Sequence, residues 1–322
     1  MDPLSHLVTG RAVVALFGKE GGGGAAGAAA IVGGLSPDVD IILAPAGWDI
    51  YLRAHQSGTH SIVGGLVVAC TVAFIVRVVG RGSRYLPLAA ASAAGAMSHL
   101  ALDAMSGAQI RLAWPFADAR VALPLVAMGD PWLVAVFAFG LLAVWPGRQR
   151  LRTVAVSMLG IAIAFLCLKG ALLDRAVRSA HLDAASPRAA EMRWGSLTEW
   201  DVYDRTPTAV RAWRVSSDGR PSRLRLTQPL LAESALVTAS RSLDTVKNFL
   251  RAHEFGFAVE TVESEERTAV RWSDLRYCRR SADAGGALEC SLWFGGVFAA
   301  NGRAVTQEVT VGTRKQIRAA PP

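Results

Sequence analysis

The sequence predicts an α-helical multi-pass membrane domain followed by a smaller soluble β-rich (α+β) domain. Long stretches of Ala, Val, Leu, Ile and Gly fill residues 13–173, whereas the remainder is dense in Arg, Asp, Glu, Ser and Thr. The chain of 322 residues is 52% hydrophobic and only 19% charged, and its mean hydropathy of +0.31 is high for a soluble protein. We therefore predict a membrane-embedded domain over residues 1–173 and a soluble domain over residues 174–322.

Apolar segments mark the predicted helices of the first half. Residues 4–17 and 25–35 predict two short helices joined by a charged, glycine-rich turn, and Pro37 is expected to end the second, because a residue before proline disfavours helix. Longer apolar segments predict membrane spans at residues 61–79, 86–105, 131–146 and 151–173. Several are shorter than the roughly 20 residues that a full crossing needs, so the number of true spans stays open.

The second half has the pattern of β-strands with some helix. Asp218-Gly219 is typical of a hairpin turn between two strands, and "SLDTVKNFLRAHEF" has helical spacing with Ser242 as its cap. Three further segments, "AVRWSDLRYC", "ALECSLWFGGVFA" and "AVTQEVTVG", predict strands. Cys278 and Cys290 can form a disulfide in an oxidising compartment, although their spacing alone does not establish the bond.

The basic residues predict the orientation of the chain in a membrane. The net charge is +8, but the basic residues form neither a single patch nor a DNA-reading motif, so nucleic acid is not an expected partner. Two basic loops, 77–84 and 147–152, are expected in the cytoplasm by the positive-inside rule. No cleavable signal peptide is expected, because Asp2 stands where a basic region would be. This topology puts the polar clusters and the soluble half on the non-cytoplasmic side.

Histidines and aspartates near the apolar segments are the candidate functional residues. Four of the six histidines fall in the first hundred residues, at His6, His55, His60 and His99. Ionisable groups at such positions are costly unless they are paired or coordinated, which favours a function. A histidine of this kind can also serve only as a hydrogen-bonded contact between helices.

Carboxylates accompany these histidines. Asp38 and Asp40 lie two residues apart in "SPDVD", which is either a metal-binding loop or a turn that ends a helix. His99 and Asp103 lie four apart in "SHLALD" and hence on one face of a helix, where they can share a metal or form a buried hydrogen bond.

Nitrogen and oxygen donors without thiolate suit zinc, manganese or iron. A metal with an open position lowers the pKa of a water molecule, and Asp38 or Asp40 can then act as general base. The sequence contains no GxSxG, no catalytic Cys–His signature and no P-loop. The pattern therefore favours metal-dependent hydrolysis over nucleophilic catalysis by serine or cysteine.

Several motifs in the first 135 or so residues carry a family resemblance: "MDPLSHLVTG", "SPDVD", "HQSGTHS", "SHLALDAMSG", "WPFADAR" and "GDPWL". In this order they resemble the family of inner-membrane-associated metal-dependent hydrolases, some bacterial members of which are known as LexA-regulated proteins. "DLRY" at 274–277 is similar to a motif in the C-terminal domain of longer members. "HQSGTHS" differs from the family's usual pattern at Gln56 and Gly58.

The resemblance implies a multi-pass protein of the bacterial inner membrane that binds a divalent metal, with zinc expected first and manganese or iron as alternatives. It implies a polar set for the site, consisting of His6, Asp38, Asp40, His55, His60, His99 and Asp103. Among these we expect the histidines and Asp103 as metal ligands and the two remaining aspartates as further ligands or catalytic base.

Two functions remain open at the level of sequence. The first is a hydrolase whose activated water attacks an ester or phosphoester, including one in a lipid of the bilayer. The second is a non-enzymatic membrane protein, such as a transporter or an envelope-stress factor, in which the cluster is a structural metal site or a proton relay.

The topology is testable with reporter fusions. Alkaline phosphatase fused after residue 173 is expected to be active, because that point faces away from the cytoplasm, whereas a fusion within residues 147–150 is expected to be inactive. Green fluorescent protein at the same points should give the opposite pattern. The reverse result for both reporters would turn the site and the soluble half towards the cytoplasm.

Overall fold

Helices form the first part of the chain. The computed structural model describes residues 2–17, 24–55, 57–80, 83–144, 151–179, 188–231, 233–281 and 288–320. The helices are α1 (Pro3–Ala15), α2 (Gly24–Leu35), α3 (Trp48–His55), α4 (Ile62–Val79), α5 (Tyr85–Met105), α6 (Pro131–Val144) and α7 (Leu151–Ser179). Two 3₁₀ helices, Ser36–Leu43 and Gly58–His60, lie on either side of α3.

Within the described residues, four helical segments are long and apolar enough to cross a membrane. They are Gly24–Leu43, Ile62–Val79, Tyr85–Met105 and Leu151–Ser179, and α6 is a shorter apolar helix. Large apolar side chains on their outer faces are exposed, among them Val67, Phe74 and Ile163. Such faces suit contact with lipid, because the backbone polar groups of a helix are satisfied internally. The predicted helical membrane region is confirmed.

The prediction that the second helix ends at "SPDVD" is confirmed for its α-helical part. The α-helix does end at Leu35, but the chain continues as the 3₁₀ helix Ser36–Leu43, which extends the same candidate span. Proline fits the first turn of a new helix, because its missing N–H would have no partner there. The result is that Asp38 and Asp40 lie on a short helix that is joined directly to α2.

Glycines bring α2 and α5 unusually close together. A Cβ added to Gly33 would lie 2.3 Å from the carbonyl oxygen of Ser92, and one added to Gly95 would lie 2.2 Å from the carbonyl oxygen of Ala30. Small residues permit this approach between membrane helices, where dispersion contacts between backbones replace a hydrophobic driving force. Because α2 leads into the aspartate-bearing 3₁₀ helix and α5 carries His99 and Asp103, this packing also sets the site.

The second part is β-rich, as predicted. Its strands are β1 (Arg188–Met192), β2 (Glu199–Arg205), β3 (Ala209–Ser216), β4 (Arg223–Pro229), β5 (Gly256–Ser264), β6 (Arg267–Asp274), β7 (Cys278–Arg280), β8 (Leu288–Cys290), β9 (Leu292–Ala299), β10 (Ala304–Val311) and β11 (Arg314–Ala319). They form two larger antiparallel sheets, ordered β1-β2-β3-β4 and β11-β10-β9-β6-β5, and a small β7-β8 pair.

The predicted hairpin at Asp218-Gly219 is confirmed, because β3 and β4 pair across a turn in which Gly219 has φ of +86°. Helices α8 (Ala235–Ser240) and α9 (Asp244–Ala252) are also present. The cap predicted for α9 is wrong: the hydroxyl of Ser242 donates to the carbonyl oxygen of Ala239 instead. Ser242 belongs to the turn that ends α8, and its hydroxyl finds a backbone acceptor there in place of the N–H groups of α9.

Two local structures hold this region together. Cys278 and Cys290 are directly opposite each other on β7 and β8 and form a disulfide. In the "DLRY" motif, the fully buried Asp274 accepts a 2.8 Å hydrogen bond from Arg276, which also donates to Nδ1 of His253 at 3.1 Å. Burial lowers the pKa of His253, so this ring is a neutral acceptor for the guanidinium. The motif therefore has a structural role in joining α9 to β6.

The close α2–α5 packing gives a stability prediction. Gly95→Ala should lower the free energy of unfolding by about 2 kcal/mol, because its methyl group would force the two backbones apart. Gly160→Ala is the matched control, since a Cβ there meets nothing within 4 Å. Thermal unfolding of both variants in the same detergent checks the prediction, and equal midpoints would contradict it.

Candidate metal centre

Five predicted site residues from different parts of the chain come together in the folded protein. His6 comes from α1, Asp38 and His60 from the two 3₁₀ helices, and His99 and Asp103 from α5. The three histidines are fully buried and Asp103 is 3% exposed. Residues that are distant from one another in the sequence therefore form one polar cluster inside the membrane region.

The core of the cluster is a triangle of donor atoms. Nε2 of His60 and Nε2 of His99 are 3.2 Å apart, and Oδ2 of Asp103 lies 3.4 Å from the first and 3.3 Å from the second. A tetrahedron with edges of about 3.3 Å has its centre about 2.0 Å from each corner, which matches the bond lengths of zinc to imidazole and carboxylate. The triangle thus has the size of one face of a tetrahedral metal site.

The hydrogen bond of His99 fixes the tautomer of its ring, so that Nε2 is the acceptor that faces the cluster. Its Nδ1 lies 2.7 Å from the carbonyl oxygen of Gly34, and a carbonyl can only accept, so Nδ1 carries the proton. In the neutral ring Nε2 then presents a lone pair to His60 and Asp103. A histidine that ligates a metal through one nitrogen commonly donates from the other in this way.

Asp40 organises the opposite side of the cluster. Its Oδ2 lies 3.3 Å from Nδ1 of His60 and accepts a 2.9 Å hydrogen bond from the hydroxyl of Thr59, and its Oδ1 lies 3.2 Å from Nδ1 of His55. When Nδ1 of His60 donates to this carboxylate, Nε2 of His60 also presents a lone pair. Two imidazole lone pairs and a carboxylate then face one another in a buried position, an arrangement that favours a positive charge at its centre.

A proton supplies that charge in the metal-free protein. Burial by itself favours the neutral ring, but the carboxylates of Asp103, Asp38 and Asp40 raise the pKa of His60 to about 10. Burial and the same three aspartates raise the pKa of the neighbouring Tyr51 hydroxyl. The site is therefore strongly attractive to cations.

His6 is the least satisfied member of the cluster. Its ring stacks on His99 with centroids 3.6 Å apart, and its Nε2 is 3.4 Å from Oδ1 of Asp103. Among the described residues its buried Nδ1 has no hydrogen-bond partner, and its buried Nε2 has only the long contact with Asp103. A buried nitrogen in this state fits a further ligand position beside the triangle.

The cluster is open to solvent on one side. The side chain of Asp38 is 38% exposed and that of His55 is 28% exposed, whereas the other members are closed off. Asp38 Oδ1 lies 3.4 Å from Nε2 of His60 and 3.6 Å from Nε2 of His99, so this carboxylate borders both the triangle and the opening. Of the two departures from the family pattern, Gln56 lies outside the described residues, and a Cβ on Gly58 would meet nothing within 4 Å.

Several supporting residues were not predicted from the sequence. Thr59, Tyr51 and the carbonyl group of Gly34 contact the cluster, but only the "THS" motif gave a signal for any of them. Arg111 and Trp114 line a cavity of about 650 Å³ with Arg53 and Arg251. This cavity lies between α3, the loop before α6 and the end of α9.

The β-rich part holds α3 in place beside the cluster. Asp49 is 2% exposed, accepts a 3.0 Å hydrogen bond from Asn248 and forms an ion pair with Arg318. The backbone N–H of Trp48 donates to Gln316 at 3.1 Å, and the Trp48 side chain packs on the core of the five-stranded sheet. The helix that ends at His55 is thus fixed from both sides.

These features define a polytopic helical membrane protein with a buried histidine–aspartate cluster under a β-rich cap. Comparison with protein families agrees: the model of the YdjM inner membrane protein family matches residues 1–174. The chain belongs to this family, which supports a location in the inner membrane and contact of its helices with the bilayer. Searches of curated proteins and of solved structures found no match to the chain.

The anchoring of α3 can be tested at Asp49. Asp49→Ala leaves Asn248 and Arg318 without their shared acceptor, and we expect a loss of about 2 kcal/mol, because Arg318 is partly solvated. Hydrogen exchange of residues 48–60 should become faster, since this segment loses its link to β11. Asp244→Ala removes an exposed aspartate of α9 and serves as control. Equal exchange in both variants would contradict the anchoring role.

Proposed function

We propose that the cluster binds one divalent metal ion and that the protein is a membrane-bound metal-dependent hydrolase of an ester or phosphoester. The observation that carries the proposal is the buried triangle of His60, His99 and Asp103, whose donor atoms converge with no lysine or arginine side chain among them. Zinc is the first candidate because of the triangle's size and its nitrogen and oxygen donors, with manganese and iron as alternatives.

The residues take separate roles in this proposal. His60, His99 and Asp103 hold the ion, and His6 or Asp38 adds a further ligand. Asp40 orients His55 and His60 through their Nδ1 atoms, which is a positioning role in place of the catalytic one expected from sequence. His55 is held 3.2 Å from Asp40 at the open side, where it is suited to contact a substrate.

Hydrolysis needs a water molecule with a lowered pKa and a general base that takes its proton. The bound ion supplies Lewis acidity and lowers the pKa of a water molecule at its open position. Asp38 is suited to be the general base, because it borders the triangle and is the most exposed carboxylate of the cluster. Thr59 and Tyr51 restrict the rings and carboxylates around it, so little reorganisation is needed during the reaction.

The surroundings support a substrate at the membrane surface. Asp40 and Asp103 lie within the last two turns of their candidate spans, and so the cluster is near one end of the helices. Arg53, Arg111 and Arg251 line the adjacent cavity together with Asp118, which pairs with Arg111, and the remaining positive charge suits a phosphate group. Phe116 is 85% exposed and Trp114 is 40% exposed, which is typical of the interfacial region of a bilayer.

The site and the β-rich part are proposed to lie on the non-cytoplasmic side of the inner membrane. The disulfide of Cys278 and Cys290 supports this, because such bonds persist in oxidising compartments. The described basic residues Arg77, Arg84 and Arg152 lie at the ends of α4, α5 and α7 that are remote from the cluster, which supports the same orientation.

Metal content and turnover test the proposal together. Purified full-length protein should hold one equivalent of metal by mass spectrometry and hydrolyse members of a phosphoester and lipid-ester panel. His60→Gln should lose the metal. Asp38→Asn should keep it but lower kcat by roughly 10²-fold or more, the usual contribution of a general base. Asp244→Asn, which changes an exposed aspartate of the β-rich part, is the control for both measurements.

Each outcome decides a separate part of the proposal. Absence of zinc, manganese and iron from folded wild-type protein would overturn the metal site. Metal retained without turnover of any substrate would favour the non-enzymatic alternative with a structural metal or proton relay. Equal turnover in Asp38→Asn and wild type would remove the general base while leaving the site intact.

A further inference from the structure

An apolar groove runs along the helices next to the cluster. It has a volume of about 410 Å³ and is formed by one face of α5 together with α1, α6 and α7. Its lining is almost wholly apolar and includes Met97, Leu102, Phe137, Ile163 and Leu166. The volume is in the range of pockets that bind small ligands.

The groove lies at the depth of the bilayer and opens sideways. Both α5 and α7 are candidate spans, and the lining residues Ala101 and Ile163 are exposed on the outer surface of the helices. Along α5 the lining runs from Ala94 to Met105, a rise of about 16 Å, which equals roughly half of the hydrocarbon core. The groove is therefore about as long as one leaflet is thick, and a lipid of that leaflet can enter it from the side.

One end of the groove, called its upper end, is formed by Leu102 and Met105 and lies near the cluster. Leu102 and Met105, which line the groove, lie one residue before and two residues after Asp103 on α5. On α1, Thr9 and Val13 line the groove and share a helix face with His6, one turn away from Thr9. His6, whose ring stacks on that of His99, therefore lies one helical turn from the lining of the groove.

Two buried polar groups at this end have no hydrogen-bond partner. The hydroxyl of Thr9 is one, although Thr9 is only 8% exposed, and Nδ1 of His6 is the other. Unsatisfied polar atoms in an apolar wall are costly and require an explanation. An ester group carried into the groove's upper end would offer the hydroxyl of Thr9 a carbonyl oxygen as acceptor.

We propose that the groove binds one acyl chain of a bilayer lipid, with its ester-bearing end beside Thr9 and His6. The occupant is a lipid because the groove is apolar, lies within the candidate spans and opens to the leaflet that it matches in length. The inference rests on the proposed function in one respect, since it makes an acylated lipid the substrate class of the metal-dependent hydrolase. The binding of the chain itself does not depend on the metal.

A photoreactive lipid tests the binding directly. Phosphatidylethanolamine with a diazirine in mid-chain, incorporated into nanodiscs with the full-length protein, should label the α5 segment 94–105 and the α7 segment 159–166. Ile163→Trp, which fills the mouth, should reduce that labelling about tenfold, as expected when roughly two methylenes lose their burial. Ile161→Trp is the matched control, because Ile161 is equally lipid-exposed on α7 but does not line the groove.

Activity and metal content separate the two proposals. Ile163→Trp should keep its metal and its turnover of a water-soluble phosphoester or ester while losing turnover of the long-chain lipid. Labelling spread evenly over the outer faces of α4 and α7, and unchanged by Ile163→Trp, would overturn the groove. Groove labelling in a protein without metal or turnover would uphold the groove and overturn only the hydrolase.

Discussion

The contact between α2 and α5 is the constraint on which the membrane region depends. Gly33 and Gly95 let the two backbones approach until a single added methyl group would clash with a carbonyl oxygen. At this separation the carbonyl of Gly34 reaches Nδ1 of His99 and selects its tautomer. The same approach brings the 3₁₀ helix with Asp38 and Asp40 against the end of α5 that carries Asp103. Helix packing and site chemistry therefore have one common cause.

The electrostatics of the cluster follow from this packing. Aspartates and histidines are rarely buried together at the depth of a membrane, because uncompensated charge there is costly. Here the carboxylates of Asp103, Asp38 and Asp40 raise the pKa of His60, and so the ring holds a proton in the metal-free protein. The one partly exposed carboxylate, Asp38, marks the direction from which an ion, water or substrate can arrive.

The β-rich part contributes to the site without supplying a residue to the cluster. It holds α3 through Asp49 and Trp48, and it holds α7 through Lys169, whose ammonium group donates to the carbonyl oxygens of Ser196 and Leu197. These contacts lie at the same end of the helices as the cluster. The second part of the chain is thus a cap that fixes the helix ending at His55 and bounds the arginine-lined cavity.

Sequence by itself determined the architecture and the identity of the polar residues. Apolar runs and alternation predict helices and strands because these depend on local periodicity, and the helical membrane region and the β-rich region are both present. The family motifs identified the residues of the cluster, because each motif is a short, local stretch of sequence. Only tertiary structure decided which donor atoms converge, that Asp40 contacts Nδ1 atoms, and that Asp49 is buried against β11. Those relations join residues up to 269 positions apart, and they depend on helix separation, which periodicity does not encode.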